Sequence, residues 1–406
     1  MPARRHLAAP LVLALAACTG ATDPHAALTV AGALGTPTAA VVSQSTLRVA
    51  VAVDGQAGGR LIVDSGAPLT TLSPTAWPGV SLPYSATIDS LAVGDVTIGH
   101  LPVLGADLFG ATPGAAAGLL GGNTLCRFAA VLDYRAPSLR LGASGFDAPA
   151  VVGAVAAARA VPFRLEGGSD NSMANAQGLA WPATRVVVSA LVEGAPRTLV
   201  VDSGSSYVVL RHALFDALVS DGRKVLGGVR IGGAGDVLEG RLTRSRSVAL
   251  ADTAVAGAAV LDVGDALLDR FAAEIGEPVD GLLGGAYLRE FLVTIDYPAR
   301  TLGLARYAAR DHIDPLEFQQ IGLTLAAAPG GSHRWSVVGI FDGTSAARAG
   351  ITVGDEVIAI DGTQLDALEQ DAARATLHGP AGAQKQVQTA RGTFMVMVED
   401  LLPPLP

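Results

Sequence analysis

Two segments of this 406-residue chain end an apolar run in Asp-Ser-Gly: Leu61-Ile62-Val63-Asp64-Ser65-Gly66 and Leu199-Val200-Val201-Asp202-Ser203-Gly204. A lone Asp-Ser-Gly is usually a solvent turn, because Asp and Ser hydrogen-bond their own backbone and Gly adopts turn conformations. Two copies, each ending an apolar strand, point to chemistry instead. Carboxylates held a few ångströms apart cannot both ionise easily, so one keeps its proton near neutral or acidic pH. The charged one can act as general base on a water. The protonated one can polarise a carbonyl and later supply the proton that a leaving nitrogen needs. Hydrolysis of an unactivated amide needs a water made nucleophilic and a leaving nitrogen protonated, and such a pair can supply both. Gly66 and Gly204 permit a tight turn and close approach, and the hydroxyls of Ser65 and Ser203 can brace facing loops.

Other chemistries find no support in the residues. There is no His-Glu-x-x-His zinc site and no Gly-x-Ser-x-Gly, and His is scarce. Gly-rich stretches such as Gly227 to Gly235 lack the Lys-Ser/Thr of a phosphate loop and read as hairpin turns. No metal and no organic cofactor is implied. The formal net charge of -9, without a large Lys/Arg cluster, argues against nucleic acid or an anionic membrane surface as a partner.

Each aspartate needs an element to deliver it. Leu47-Arg48-Val49-Ala50-Val51-Ala52-Val53 alternates with the period of a strand, Asp54-Gly55 turns, and Arg60-Leu61-Ile62-Val63 returns. A hairpin therefore presents Asp64 at its end. The pattern then repeats at long range. Gly118-Leu119-Leu120-Gly121-Gly122 recurs as Gly281-Leu282-Leu283-Gly284-Gly285, and Val131-Leu132-Asp133-Tyr134 recurs as Thr294-Ile295-Asp296-Tyr297. The interval from Gly118 to Leu132 equals that from Gly281 to Ile295. Both halves thus run hairpin, Asp-Ser-Gly, variable middle, Gly-Leu-Leu-Gly-Gly, short helix, closing hairpin. The longer middle of the second half leaves room for short helices at Ala213 to Val219 and Asp265 to Ile275. Asp133 and Asp296, each before Tyr, read as structural turn residues.

On the paired Asp-Ser-Gly loops and the Leu-Leu-Gly elements Leu119-Leu120-Gly121 and Leu282-Leu283-Gly284, the chain resembles an aspartic protease of the pepsin and retropepsin clan, over residues 46 to 305. The resemblance implies a mainly β, bilobal pepsin-like acid-protease fold made of two small, retropepsin-sized lobes, 46–145 and 155–310. It implies Asp64 and Asp202 as the catalytic pair, supported by Ser65, Gly66, Ser203, Gly204 and Ser205, and peptide or protein substrates. In the pepsin pattern a hydroxyl after the Gly donates to the outer carboxylate oxygen. Ser205 occupies that place in the second loop, and Ala67 stands in the first. Without that donor at Asp64, the pair is expected to titrate higher than a pepsin-like one. A flap hairpin is expected within Pro78 to Val93. Tyr84 is its candidate aromatic, although a half-buried packing role is the simpler reading for Tyr84, as packing is for Trp77. The rival reading is a non-catalytic, two-lobed protein that binds peptides.

Beyond Ile313 the composition changes. Ser345-Ala346-Ala347-Arg348-Ala349-Gly350-Ile351 followed by Val353-Gly354-Asp355-Glu356-Val357-Ile358-Ala359-Ile360-Asp361-Gly362 closely resembles a bacterial α+β PDZ domain, spanning 314–402. That resemblance implies a long helix at Asp366 to Leu377, a last strand at Thr393 to Val398, and a carboxylate-binding loop at Ile321, Gly322 and Leu323. A C-terminal peptide ligand would add there as a strand. The alternative is a structural or regulatory cap on the lobes.

The N-terminus reads as an address. Arg4 and Arg5 precede a short apolar segment that ends Leu15-Ala16-Ala17-Cys18, and this resembles a lipoprotein signal over 1–18 with Cys18 as the lipidated residue. It implies secretion across the inner membrane and a lipid anchor in the cell envelope, leaning to the outer membrane. Ordinary secretion with Cys18 removed is the alternative. Residues 19–45, rich in Ala, Thr, Gly and Pro, read as a flexible tether. Without Cys18 the only cysteine is Cys126, whose apolar neighbours suit a buried small hydrophobe.

Overall fold

The computed structural model describes residues 28–405, apart from 110–113, 153–156, 169–181, 233–236 and 328–333. Cys18 and the rest of segment 1–18 lie outside the described residues. The described chain is mainly β: two lobes of like topology, followed by a PDZ unit.

The first lobe uses β1 (Thr29–Gly32), β2 (Pro37–Ser43), β3 (Thr46–Val53), β4 (Gln56–Val63), β5 (Thr71–Leu72), β6 (Ser85–Val93), β7 (Val96–Gly105), β8 (Gly118–Leu120), β9 (Ala129–Asp133) and β10 (Ser138–Gly142), with α1 (Gly122–Leu125) and α2 (Ala148–Val152). β3 and β4 form the hairpin legible in the sequence, and its turn places Asp54 (φ 48°) and Gly55 (φ 77°) in the left-handed region. Leu61, Ile62 and Val63 are all buried because β4 is interior at its C-terminal end, with β3 on one edge and the parallel β8 on the other.

The second lobe repeats this plan in β11 (Arg159–Pro162), β12 (Arg164–Glu166), β13 (Arg185–Val192), β14 (Ala195–Val201), β15 (Val208–Leu210), β16 (Leu226–Gly232), β17 (Val237–Arg244), β18 (Val248–Leu250), β19 (Thr253–Val255), β20 (Ala259–Asp262), β21 (Gly281–Leu283), β22 (Phe291–Asp296) and β23 (Thr301–Arg306). Its helices are α3 (His212–Val219), α4 (Ala266–Ile275) and α5 (Gly285–Leu288). β13–β14 answers β3–β4, and β14 runs parallel to β21 as β4 does to β8. The lobes join in one sheet, ordered β2-β10-β9-β22-β23-β11, where β9 and β22 pair antiparallel at the centre.

The structure departs from two expectations. The tether assigned to 19–45 is partly sheet, because residues 29–43 supply β1 and β2. β2 is the first-lobe counterpart of β11, bonded to β3 on one side and β10 on the other. Its side chains stay largely exposed, so the backbone ladder holds it and no apolar alternation announces it. The flap hairpin is also absent from 78–93. Ser85–Val93 is instead a full strand paired with both β3 and β7. Tyr84 is 53 % exposed beside it, whereas Trp77 is fully buried and donates its indole N–H to the Gln56 carbonyl at 3.1 Å. The strand without a first-lobe counterpart is β16, which extends the second lobe through β17.

The PDZ unit contains β24 (Gln319–Gln320), β25 (Leu323–Ala327), β26 (Trp335–Ile340), β27 (Glu356–Ile360), β28 (Thr363–Gln364), β29 (Gln384–Thr389), β30 (Gly392–Met397) and β31 (Glu399–Asp400), with α6 (Ser345–Arg348) and α7 (Gln370–Ala375). Its helix α7 is shorter than the expected Asp366 to Leu377, since Thr376 caps it. The main sheet runs β25-β26-β27-β29-β30, which leaves β25 at an edge. Leu323, Leu325, Trp335, Val337 and Val387 anchor its own core.

Candidate active site

The two hairpins bring Asp64 and Asp202 to one place between the lobes. Each is 8 % exposed. Gly66 faces the Asp202 carboxyl and Gly204 faces the Asp64 carboxyl, so closely that a Cβ on either glycine would overlap the opposing acid group. Neither glycine has a positive φ. Space between the two loops, and not backbone conformation, therefore excludes a side chain here.

Beneath the acids the loops are laced reciprocally. Ser203 Oγ accepts from the Ser65 N–H at 3.0 Å and donates to the Val63 carbonyl at 2.7 Å. Ser65 Oγ accepts from the Ser203 N–H at 3.0 Å and donates to the Val201 carbonyl at 2.8 Å. Each hydroxyl thus satisfies one buried donor and one buried acceptor of the other lobe, groups that would be costly to leave unpaired. Asp64 Oδ1 accepts from the Gly66 and Ala67 N–H groups at 2.8 and 2.9 Å, and Asp202 Oδ1 accepts from Gly204 and Ser205 at 3.0 Å each.

Ser205 differs from expectation. Its hydroxyl donates to the Tyr207 carbonyl at 3.0 Å, and its contribution to Asp202 is the backbone N–H. The first loop supplies the same N–H from Ala67, so the Ser/Ala difference leaves the two carboxylates with matching backbone donors.

The electrostatics have another origin. Burial pushes the Asp64 carboxyl well above the usual carboxylate range. The neighbouring Asp202 charge adds to the rise, while Arg185 and the Gly66 N–H oppose it. Asp202 is raised by burial and held back by Arg185, by a hydrogen bond from Asp64 and by its two backbone donors. Burial therefore favours a protonated form of the pair to higher pH than an isolated Asp would keep. Desolvation leads the rise at both acids, and at Asp64 the neighbouring Asp202 charge adds to it.

Nothing in the sequence singles out Arg185. It stands at the start of β13, next to Val186, which pairs with Val201 just before Asp202. Its side chain is 5 % exposed, its Nε donates to Glu274 Oε2 at 3.1 Å, and its guanidinium lies 4.4 Å from the Phe271 ring centroid. An Arg ahead of the run Val186-Val187-Val188 reads as the solvated edge of a strand, which hid it.

The Leu-Leu-Gly-Gly elements brace the loops from behind. Gly122 N–H donates to the Ala67 carbonyl at 2.7 Å, and Gly285 N–H donates to Ser205 at 2.7 Å. Each second glycine also meets the opposite lobe: Gly122 abuts Thr184 and Gly285 abuts the Ser45 carbonyl, with no room for a Cβ in either place. Asp133 and Asp296 lie away from the pair and cap turns. Asp133 accepts from the Tyr307 hydroxyl at 2.8 Å and Asp296 from the Gly145 N–H at 2.7 Å. Cys126 is fully buried. Among the described residues no His, Cys, Asp and Glu cluster could hold a metal ion.

The expected carboxylate-binding residues Ile321, Gly322 and Leu323 lie at the entry to β25. Ile321 and Leu323 are buried, and Gly322 takes φ 92°.

Similarity to known proteins follows the same division. A family model described as aspartyl protease matches residues 188–287, and one described as PDZ domain matches 313–388. Among curated proteins none matches the sequence. Among solved structures, a photosystem II D1 C-terminal processing protease is 23% identical over 22% of this chain and 24% of its own, with a TM-score of 0.20. The described chain thus spans about a quarter of that protein's length. A retropepsin-like aspartic protease from Rickettsia conorii is 17% identical over 37% of this chain and 92% of its own, with a TM-score of 0.24. An aspartic proteinase from Irpex lacteus is 16% identical over 68% of this chain and 98% of its own, with a TM-score of 0.39. The second lobe is similar to aspartyl proteases and the C-terminal unit to PDZ domains.

Proposed function

We propose that this protein is an aspartic-type endopeptidase in which Asp64 and Asp202 activate a water against a peptide bond. One observation carries the reading: two buried carboxylates, one from each lobe, meet over reciprocally laced Ser-Gly loops, where burial pushes the titration of both upward. In this reading Asp202, favoured as the charged partner by Arg185 and its backbone donors, takes a proton from water. Asp64, protonated, polarises the substrate carbonyl and returns a proton to the leaving nitrogen. The groove beside β25 receives a peptide C-terminus as an added strand. The leader-like segment, with Cys18 as the lipidated residue, would place the enzyme in the cell envelope on a lipid anchor.

The test is turnover of a denatured protein across roughly pH 3 to 8, the range that spans ordinary and raised carboxylate pKa values. Asp64→Asn and Asp202→Asn should each abolish it, and a statine-containing peptide should inhibit the wild type. Equal inertness of wild type and both variants would leave a peptide-binding protein on a protease-like scaffold.

A further inference from the structure

Beside the acid pair the two lobes differ. Val186 pairs with Val201, so Arg185 stands one step further along, opposite Asp202 and on the same face of the sheet. Facing Cα atoms in such a ladder are about 5 Å apart. The same extension of the β3–β4 register sets Thr46 opposite Asp64 in the first lobe. The cation thus belongs to the second-lobe side of the pair. Its guanidinium is almost fully buried and incompletely satisfied. Nε and Nη2 both donate to one oxygen, Glu274 Oε2, while Nη1 is buried with no hydrogen-bond partner among the described residues. A guanidinium fork is strongest when it meets both oxygens of a carboxylate, and a buried donor left unpaired is costly.

Glu274 reaches Arg185 from α4, a helix that the first lobe lacks among its described residues. The two ends of α4 are held differently. Near its start Leu268 is fully buried, the His212 N–H donates to Asp265 Oδ1 at 2.8 Å, and Arg211 Nη1 donates to Asp269 Oδ1 at 2.7 Å. Near its end Glu274 pairs with Arg185, the Phe271 ring lies 4.4 Å from the same guanidinium, and Glu277 pairs with Arg164. Arg164 is largely exposed, so its pair contributes little. Gly264 (φ 77°) and Gly276 (φ 83°) bracket the helix, with open space where a Cβ would stand, so neither end is wedged. The far end of α4 therefore rests mainly on Arg185.

We propose that Glu274 is a built-in stand-in for a substrate carboxylate: the end of α4 swings away, and an Asp or Glu side chain beside the scissile bond takes the place of Glu274 on Arg185. The proposal rests on the endopeptidase reading and names its substrate class, peptides with an acidic residue close to the cleaved bond. The coupling is electrostatic. Release of α4 alone would strand a buried cation, the costly half of a broken ion pair. An arriving carboxylate keeps the cation paired. One that meets Nη1 and Nη2 together also satisfies the donor that Glu274 leaves free. A Gln side chain brings an oxygen without the charge, and an apolar one brings neither. Because Thr46 stands in the corresponding place opposite Asp64, the acidic residue belongs on one side of the cleaved bond only.

The experiment uses the full chain. A cleavage site is mapped on a denatured protein, and a decapeptide around it is remade with a single Glu, or its Gln twin, at each position in turn. Glu should exceed Gln in kcat/KM by about tenfold or more at a position within about three residues of the bond, on one side. Arg185→Met with Glu274→Gln should bring the twins to within about twofold, and Arg185→Lys should keep part of the preference. Glu274→Gln alone removes the stand-in and should lower KM for the Glu peptide by about fivefold or more. Amide hydrogen exchange over Ala266–Ile275 should quicken with a saturating statine peptide that carries the Glu, and not with its Gln twin. A Glu preference at no position overturns the proposal. So does a preference that survives in the double variant, or an unchanged KM in a folded Glu274→Gln variant. Should no peptide be cleaved, statine peptides with Glu at successive positions decide: binding tighter than that of their Gln twins, lost in the double variant, would sink the endopeptidase reading and leave the Arg185 site standing, and equal binding would sink both.

Discussion

At the scale of single residues, the carboxylates were legible because their chemistry demands two of them in like surroundings. Arg185 was not legible, because a cation before three valines looks like a strand end facing water. Buried between Glu274 and Phe271, it acts on both carboxyls. The sign of its effect can be worked out. A nearby cation favours the charged carboxylate, so Arg185 lowers the titration of both acids against the larger upward push of burial. Activity would rise as the pair loses its first proton and fall as it loses the second. Arg185→Met should therefore move both limbs of the kcat/KM profile to higher pH and reduce the rate at the acid side most. Glu274→Gln should be introduced with it, so that no carboxylate is stranded without its partner. Arg185→Lys should restore much of the wild-type profile. An unmoved profile in a folded Met variant would remove Arg185 from any electrostatic role.

At the scale of elements, the hairpins, the duplicated Leu-Leu-Gly-Gly segments and both extra helices of the second lobe could be read from period and repetition. β2 could not. Pro37-Thr38-Ala39-Ala40-Val41-Val42-Ser43 buries little, and its strand identity comes from neighbours that a sequence does not display. The shortness of α7 was hidden for a related reason, since Asp366 to Leu377 has helical composition throughout while only its centre is helical. The glycine pairs carried a meaning that repetition alone did not disclose. Gly122 and Gly285 are the points where each lobe touches the strand entry of the other, at Thr184 and Ser45. The two contacts differ in kind. Gly122 meets a side chain, whereas Gly285 meets a backbone carbonyl held by a tight turn. Overpacking costs typically about 1–3 kcal/mol and depends on whether the neighbour can give. Gly122→Ala should be partly rescued by Thr184→Gly. Gly285→Ala should be the more damaging and should not be rescued by any side-chain removal at Ser45. Denaturant midpoints of the four proteins check this, and equal costs for the two glycine variants would contradict it.

At the scale of the whole molecule, the sequence suggests a modular chain, with lobes and PDZ unit as separate blocks of pattern. The packing is less modular. Phe318, Phe341, Leu401 and Leu402 belong to the PDZ unit and its ends, yet they are buried in the same apolar cluster as Leu226, Leu242, Leu261 and Phe271 of the second lobe. Polar contacts reinforce the seam. The Arg244 guanidinium lies 4.8 Å from the Phe318 ring centroid while its Nε donates to the Leu402 carbonyl at 2.7 Å, and Lys224 donates to Asp400 at 3.0 Å. β24 and β31 then pair to close the unit's two ends on each other beside that seam. A core shared in this way cannot lose one unit without exposing the other's apolar surface, so the second lobe and the PDZ unit should unfold together. Leu402→Ala removes a side chain that is 1 % exposed, and truncation of a buried leucine costs about 2–5 kcal/mol. Calorimetry should show one transition for these two units in the wild type, shifted down intact in the variant. Groove peptide binding and cleft inhibitor binding should be lost over the same temperature interval. A PDZ transition that separates from that of the lobes and ignores Leu402→Ala would mean that the shared cluster contributes nothing to cooperativity.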